Sequence, residues 1–293
     1  ELWKTVLQGG GTQTSLVLNI FEDLPGAAPK SSNPTELIRF QNEVYFSARD
    51  GSYRDILDDD DNVTEANHLD SHGIELWRSD GTVLGTELVK DIDQFVDTSG
   101  PGDDVPHSSA PGNFAVHNGR LYFAASDFTF VPGTADIATG RELWVTDGDE
   151  TRLVRDIRVG STVSSNPTQL VSTDGFLYFK ATGSPSQGQE LWRTDGTAVG
   201  TQLVRDIRPG SGTPFLFAHG MTKLGSSVIF AADEGVLGPE VWISDGTFDG
   251  THVLRETQFG RNSSAVPDRF ATIGDRVYFS SAAELWRTDG TEA

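Results

Sequence analysis

The sequence predicts an all-β fold, a β-propeller of five four-stranded antiparallel blades, and three observations predict it. A Glu-(Leu/Val)-Trp triplet begins at Glu1, Glu75, Glu142, Glu190, Glu240 and Glu284, and all six Trp lie in it. Other landmarks recur in step with the triplet. No long stretch carries a helical period; short runs of Val, Phe, Tyr, Trp, Leu and Thr alternate with Gly, Asn and Asp.

Each unit carries four runs, A to D. Run A is an apolar stretch: PTELIRF (34–40), GNFAVH (112–117), PTQLVS (167–172), PFLFAH (214–219) and PDRFAT (267–272). A tight turn follows, with Asn-Gly or Asp-Gly in two copies, as antiparallel hairpins require. Run B is aromatic: VYFSA (44–48), LYFAA (121–125), LYFKA (177–181), VIFAA (228–232) and VYFSS (277–281). Run C holds the triplet. Run D reads LVLNI (16–20), LVKDI (88–92), LVRDI (153–157), LVRDI (203–207) and VLRET (253–257). The whole chain, 1–293, reads as one domain with units at 21–92, 93–157, 158–207, 208–257 and 258–293. The last unit stops before its D run, and Ser15–Ile20 is a spare D strand expected to complete it and protect two edges. Glu1–Thr5 does not fit this closure cleanly, and a six-unit ring is the alternative.

Composition narrows the function. The chain of 293 residues has 32 Gly, no Cys and a formal charge of -21. That charge excludes a phosphate backbone as partner and disfavours anionic membrane. No apolar run approaches a membrane span. Without Cys there is no disulfide framework and no thiolate metal site. Starting at Glu1, the chain reads as a mature or excised segment.

The repeated residues read as structural. Trp77, Trp144, Trp192, Trp242 and Trp286 give each blade an apolar anchor. Asp80, Asp147, Asp195, Asp245 and Asp289 open turns in which the carboxylate bonds nearby backbone N–H groups. The Arg and Asp of LVRDI are expected to pair across strands or between blades. A lectin with one shallow site per blade is the functional alternative, and it requires exposed Trp.

The motif Glu190-Leu191-Trp192, Asp195-Gly196-Thr197, Gly200-Thr201, Leu203-Val204-Arg205-Asp206-Ile207 recurs through Glu75, Trp77, Asp80, Gly81, Thr82, Gly85, Thr86 and Asp91. It resembles the bacterial exported proteins named for the ELWxxDGT repeat, and the match covers essentially the whole chain. Residues 147–152 (DGDETR) are two shorter than the pattern, and Val6 stands where other copies have Asp. The resemblance implies a secreted or cell-surface setting. It supplies no defined activity.

The unrepeated segments are read as the site. The B–C and D–A connections of a blade emerge on one face. The long ones, Asp50–Gly73, Asp93–Ala110 and Ser126–Arg141, fall there on neighbouring blades. They hold fourteen acidic against two basic residues, -12 of the -21. Asp58, Asp59, Asp60, Asp61, Asp70, Asp103, Asp104 and Asp127 are the candidate binding face. Asp58, Asp60, Asp61, Asp103 and Asp104 are candidate calcium ligands, because crowded carboxylates repel unless a hard cation compensates. No EF-hand is present, since Val63 and Leu69 occupy the positions of its Gly and Glu. His68, His72 and His107 are candidates for a transition metal. His117, His219 and His252 read as packing residues.

No GxSxG, P-loop or HExxH motif occurs. A glycosidase in the axial funnel would draw on Glu36, Asp50, Asp127 and Asp268, with Asp233 and Glu234 nearby, at the carboxylate spacing of a retaining or inverting pair. The reading favoured over this is a binding module for adhesion or matrix assembly. It recognises a glycan or surface protein through a calcium-ordered acidic face, without an organic cofactor. A structural spacer in a longer surface protein, joined to flanking segments or self-assembling, is the other alternative.

Overall fold

The structure is a computed structural model and describes residues 1–8, 11–21, 31–51, 54–57, 63–67, 72–97, 105–128, 139–160, 163–215, 220–236, 238–255 and 266–291. Every regular element among these is a strand. β1 (Leu2–Gln8) and β2 (Gly11–Leu18) form an antiparallel hairpin. The first full sheet contains β3 (Thr35–Phe40) and β4 (Glu43–Arg49), then, past a small hairpin of β5 (Arg54–Leu57) and β6 (Val63–Asn67), β7 (Ile74–Ser79) and β8 (Thr86–Lys90). A two-residue pair, β9 (Val96–Asp97) and β10 (Val105–Pro106), precedes the second sheet. That sheet is β11 (Gly112–His117), β12 (Arg120–Asp127), β13 (Gly140–Thr146) and β14 (Thr151–Arg155). The third is β15 (Thr168–Ser172), β16 (Leu177–Thr182), β17 (Gln189–Thr194) and β18 (Gln202–Arg205). The fourth is β19 (Met221–Leu224), β20 (Ser227–Asp233), β21 (Pro239–Ser244) and β22 (His252–Arg255). β23 (Asp268–Ile273), β24 (Arg276–Ser281) and β25 (Glu284–Thr288) make a three-stranded sheet. The runs A to D are thus four successive antiparallel strands, as the sequence predicts.

Side chains of the B and C strands alternate between the two neighbouring blades, and this builds the core between sheets. Trp144 packs on Leu76 and Ile92 of the first sheet. Trp192 packs on Leu143, Val154 and Ile157 of the second, and Trp242 on Leu191, Val204 and Ile207 of the third. Trp77 meets Leu2, Val17 and Ile20, so β1–β2 stands where a preceding blade would offer its C and D strands. Trp77, Trp144, Trp192 and Trp242 are buried, which ends the lectin reading at those four blades.

The turn after each C strand is one hydrogen-bonded unit. Asp195 Oδ1 accepts from Thr197 N at 2.9 Å and Thr197 Oγ1 at 2.7 Å. Thr197 Oγ1 accepts from Gly200 N at 2.9 Å. Asp80 and Asp245 repeat this, and Asp289 keeps its first half. In the shortened copy Asp147 accepts from Asp149 and Glu150 N–H instead. The glycines follow from close approach. A Cβ on Gly200 would lie 2.2 Å from Asp195 Cγ, and one on Gly196 (φ +92) would lie 2.3 Å from Tyr122 Oη of the preceding blade.

A second repeated device went unread in the sequence. The triplet Glu is a buried clasp between one blade's exit and the next blade's entry. Glu75 accepts from Ile92 N at 3.1 Å, Ser109 N at 2.7 Å and Ser109 Oγ. Glu142 takes the same three donors from Ile157 and Ser165, and Glu1 from Ile20 and Ser32. The signal was present as the Ser-Ser pairs at 31–32, 108–109 and 164–165. Burial outweighs these donors and pushes the carboxyl up, to about 8 at Glu75 and about 7 at Glu142. At Glu190 the place of Ser-Ser is taken by Thr213–Pro214, and Pro214 has no N–H to donate. Glu190 keeps the Ile207 N–H at 2.9 Å, leaves Oε1 without a partner, and is pushed by burial to about 8.

Two expectations need correction. Ser15–Ile20 does not complete the last sheet: its strand residues belong to β2, which pairs with β1, with Thr5 opposite Thr14 and Trp3 opposite Leu16. Both strands of that hairpin come from one stretch of chain, so local pairing needs no long closure. The Arg of LVRDI links blades through backbone, not through the neighbouring Asp. Arg155 Nη1 donates to Thr201 O at 2.6 Å, and Arg205 makes the equivalent bond to Thr251 O. The accompanying Asp91, Asp156 and Asp206 each keep a buried Oδ1 without a partner.

Candidate functional site

Strand B ends, strand C beginnings and the D–A connections meet on one face of the first two blades. Asp50, just past β4, is buried. It accepts from His72 N at 2.8 Å and lies 2.6 Å from His72 Nδ1. A carboxylate on Nδ1 sets the tautomer and the ring's orientation. Asp91 lies close enough to feel both charges; burial first, then Asp50, raises its pKa while His72 opposes.

The neighbouring cluster joins blades one and two. Asp93 is buried, and its Oδ2 stands 3.7 Å from His107 Nδ1. The imidazole makes edge-type contacts with Phe95, ring centroids 4.5 Å apart, and with Phe128, 6.2 Å apart. The β9–β10 pairing brings Phe95 and His107 together, and His107 N donates to Phe95 O at 2.9 Å. Burial raises the Asp93 pKa, and the Asp127 carboxylate adds to this.

The carboxylates considered for hydrolysis have separate local engagements. Glu36 sits in a left-handed kink of β3 (φ 57) and accepts from Asn113 N at 3.2 Å. Asp268 accepts from Arg269 N at 2.7 Å. Asp50 holds His72, and Asp127 is the last residue of β12. Asp233, at the end of β20, pairs with Arg208 at 3.1 Å. His117 is buried and lies 3.0 Å from Ser172 Oγ across the blade interface.

Asp58, Asp59, Asp60, Asp61, His68, Asp70, Asp103, Asp104 and His219 lie outside the described residues. Among the described residues no three His, Asp or Glu side chains have a metal-holding arrangement, and no helix is long and apolar enough to cross a membrane. His72 and His107, which the sequence offers as transition-metal candidates, each face a carboxylate, Asp50 and Asp93. Sequence reasoning passed over Asp93 as one acid among many.

No family model matches the chain, and no curated protein matches it in sequence. Among solved structures it is similar to an acylaminoacyl peptidase from Pyrococcus horikoshii, at 12% identity and TM-score 0.43, over 99% of this chain and 40% of that one. A virginiamycin B lyase from Staphylococcus aureus aligns at 17% identity and TM-score 0.40, over 95% and 71%. The β-propeller domain of the trilobed protease from Pyrococcus furiosus aligns at 11% and 0.39, over 89% and 66%. The chain spans well under half the length of the peptidase. The description of the fold rests on the strand pairing of this chain itself.

Proposed function

We propose that the chain is a secreted or cell-surface binding module, a five-bladed propeller that serves adhesion or matrix assembly. It engages a glycan or a surface protein through the face of its first two blades. One observation carries this reading. The repeated polar groups, from the triplet Glu to the turn Asp, are spent on internal clasps and turns. The polar groups that depart from the repeat, Asp50–His72 and Asp93–His107, gather in the connections of blades one and two. Ring closure belongs to the same reading, with the separate β1–β2 hairpin and the β23–β25 sheet, which has no fourth strand among the described residues, at its two ends.

Calcium orders the acidic connections in this reading, because a dense set of Asp needs a hard cation to relieve repulsion. A ligand that binds only the folded state raises the melting temperature. The Tm is expected to rise in millimolar Ca²⁺, to fall in EDTA, and to lose this response when Asp58–Asp61 are changed to Asn. An unchanged Tm removes calcium from the account. Binding to a glycan array or to surface-protein extracts, lost in the same variant, tests the docking face.

A further inference from the structure

The position two residues after the Asp of LVRDI faces the next blade, and the repeat fills it differently at each interface. Between blades three and four it is Arg208, whose guanidinium pairs with Asp233 at 3.1 Å. After blade two it is Arg158, which donates to Ser164 O at 3.3 Å. Between blades one and two it is Asp93. The charge there is reversed. Asp93 is 1% exposed, and its Oδ2 has no hydrogen-bond partner. A buried carboxylate oxygen left so is costly unless a cation meets it.

What now covers Asp93 is the His107 ring, at 3.7 Å and so beyond hydrogen-bond distance. Its side chain is 38% exposed, so solvent reaches the ring. The place it fills is aromatic: Phe95 and Phe128 both meet the imidazole at steep angles, 62° and 81°. A spherical hard cation wants six to eight oxygens and gains nothing from phenyl rings. A guanidinium is planar, weakly hydrated, stacks on aromatic faces and pairs with carboxylates.

We propose that Asp93, Phe95 and Phe128 form a guanidinium-binding site, in which an arginine side chain of a partner protein displaces the His107 ring. The site restores the charge that the chain's own Arg208 provides between blades three and four. This deepens the docking reading by naming the partner's chemistry.

The experiment is calorimetric titration of the whole chain with L-arginine amide, with calcium chloride as the rival cation. Saturable arginine amide binding is expected, tighter in His107→Ala, where the slot is open. Asp93→Asn weakens it by about tenfold or more, because the charge-assisted pair is lost. Asp93→Arg abolishes it and raises the Tm, by supplying the guanidinium internally. No saturable heat in either wild type or His107→Ala overturns the proposal. So does a calcium response that Asp93→Asn removes while arginine amide gives none. Failure with arginine amide leaves docking through the acidic connections standing, and absence of any macromolecular ligand leaves the arginine amide result intact.

Discussion

Strands β17 and β25 contain the same five residues, ELWRT, and live in different surroundings. In β17, Leu191 is 0% exposed, between β16 and β18 and against the fourth blade. In β25, Leu285 is 78% exposed, and the sheet carries no fourth strand among the described residues. Trp286 still stacks on Phe279, because that contact lies within its own sheet. A cleft of about 220 Å³, lined by Val241, Leu254, Phe279 and Trp286, opens beside it. Identical residues therefore contribute according to the strand and blade that follow them. The repeat is a set of half-interfaces.

The sharpest way to break the comparison is to truncate the shared leucine in both places. Leu191→Ala is expected to cost about 2–5 kcal/mol, the range for emptying a well-packed site. Leu285→Ala is expected to stay within about 0.5 kcal/mol. Chemical denaturation of the two variants measures the difference, and equal losses mean that β25 is covered in solution.

The clasp gives the next effect. The folded pKa of Glu75 lies near 8, above its unfolded value of 4.5. The folded state therefore holds a proton that the unfolded state releases, and this contribution is complete below pH 4.5 and lost as pH rises through about 8. Glu142 and Glu190 push in the same direction. Stability is expected to decline across that window, with a shallower slope in Glu75→Gln. Glu284, exposed in β25, changes nothing when replaced by Gln. A pH series of urea midpoints checks both.

The turn is the smallest case. Asp195→Ala is expected to cost about 1 kcal/mol, through loss of the bonds to Thr197. Hydrogen bonding to Thr197 depresses the Asp195 pKa, so its share of stability is present at neutral pH and lost on acidification. Asp289→Ala is expected to cost less, because its sheet has no fourth strand among the described residues and Asp289 keeps only the bonds to Thr291. Thermal melts at pH 7 rank the two.

Much of the strand order was legible because it is local. Tyr178, Phe179 and Trp192 alternate along their strands with period two, and Asp195-Gly196-Thr197 dictates its own turn through bonds two and three residues apart. The inward Trp followed from the same pattern. The clasps of Glu75 and Glu142 were harder to see, since a polar residue beside Trp gives no sign of its burial until the Ser-Ser of the next unit is placed on it. The pairs Asp50–His72 and Asp93–His107 close over 22 and 14 residues that depart from the repeat and, among the described residues, hold only the short β5–β6 and β9–β10 pairings, so no repeat register predicts them.

By itself the sequence determined that this protein is built of β strands in repeated units, that the Asp-Gly-Thr turns join them, and that blades one and two carry the departures. Those features depend on neighbours within a few residues. Only the tertiary structure decided which carboxylates are buried, that β2 pairs with β1, and that Asp93 lies buried facing His107. Each of these depends on two distant segments meeting, and on the desolvation that the meeting imposes.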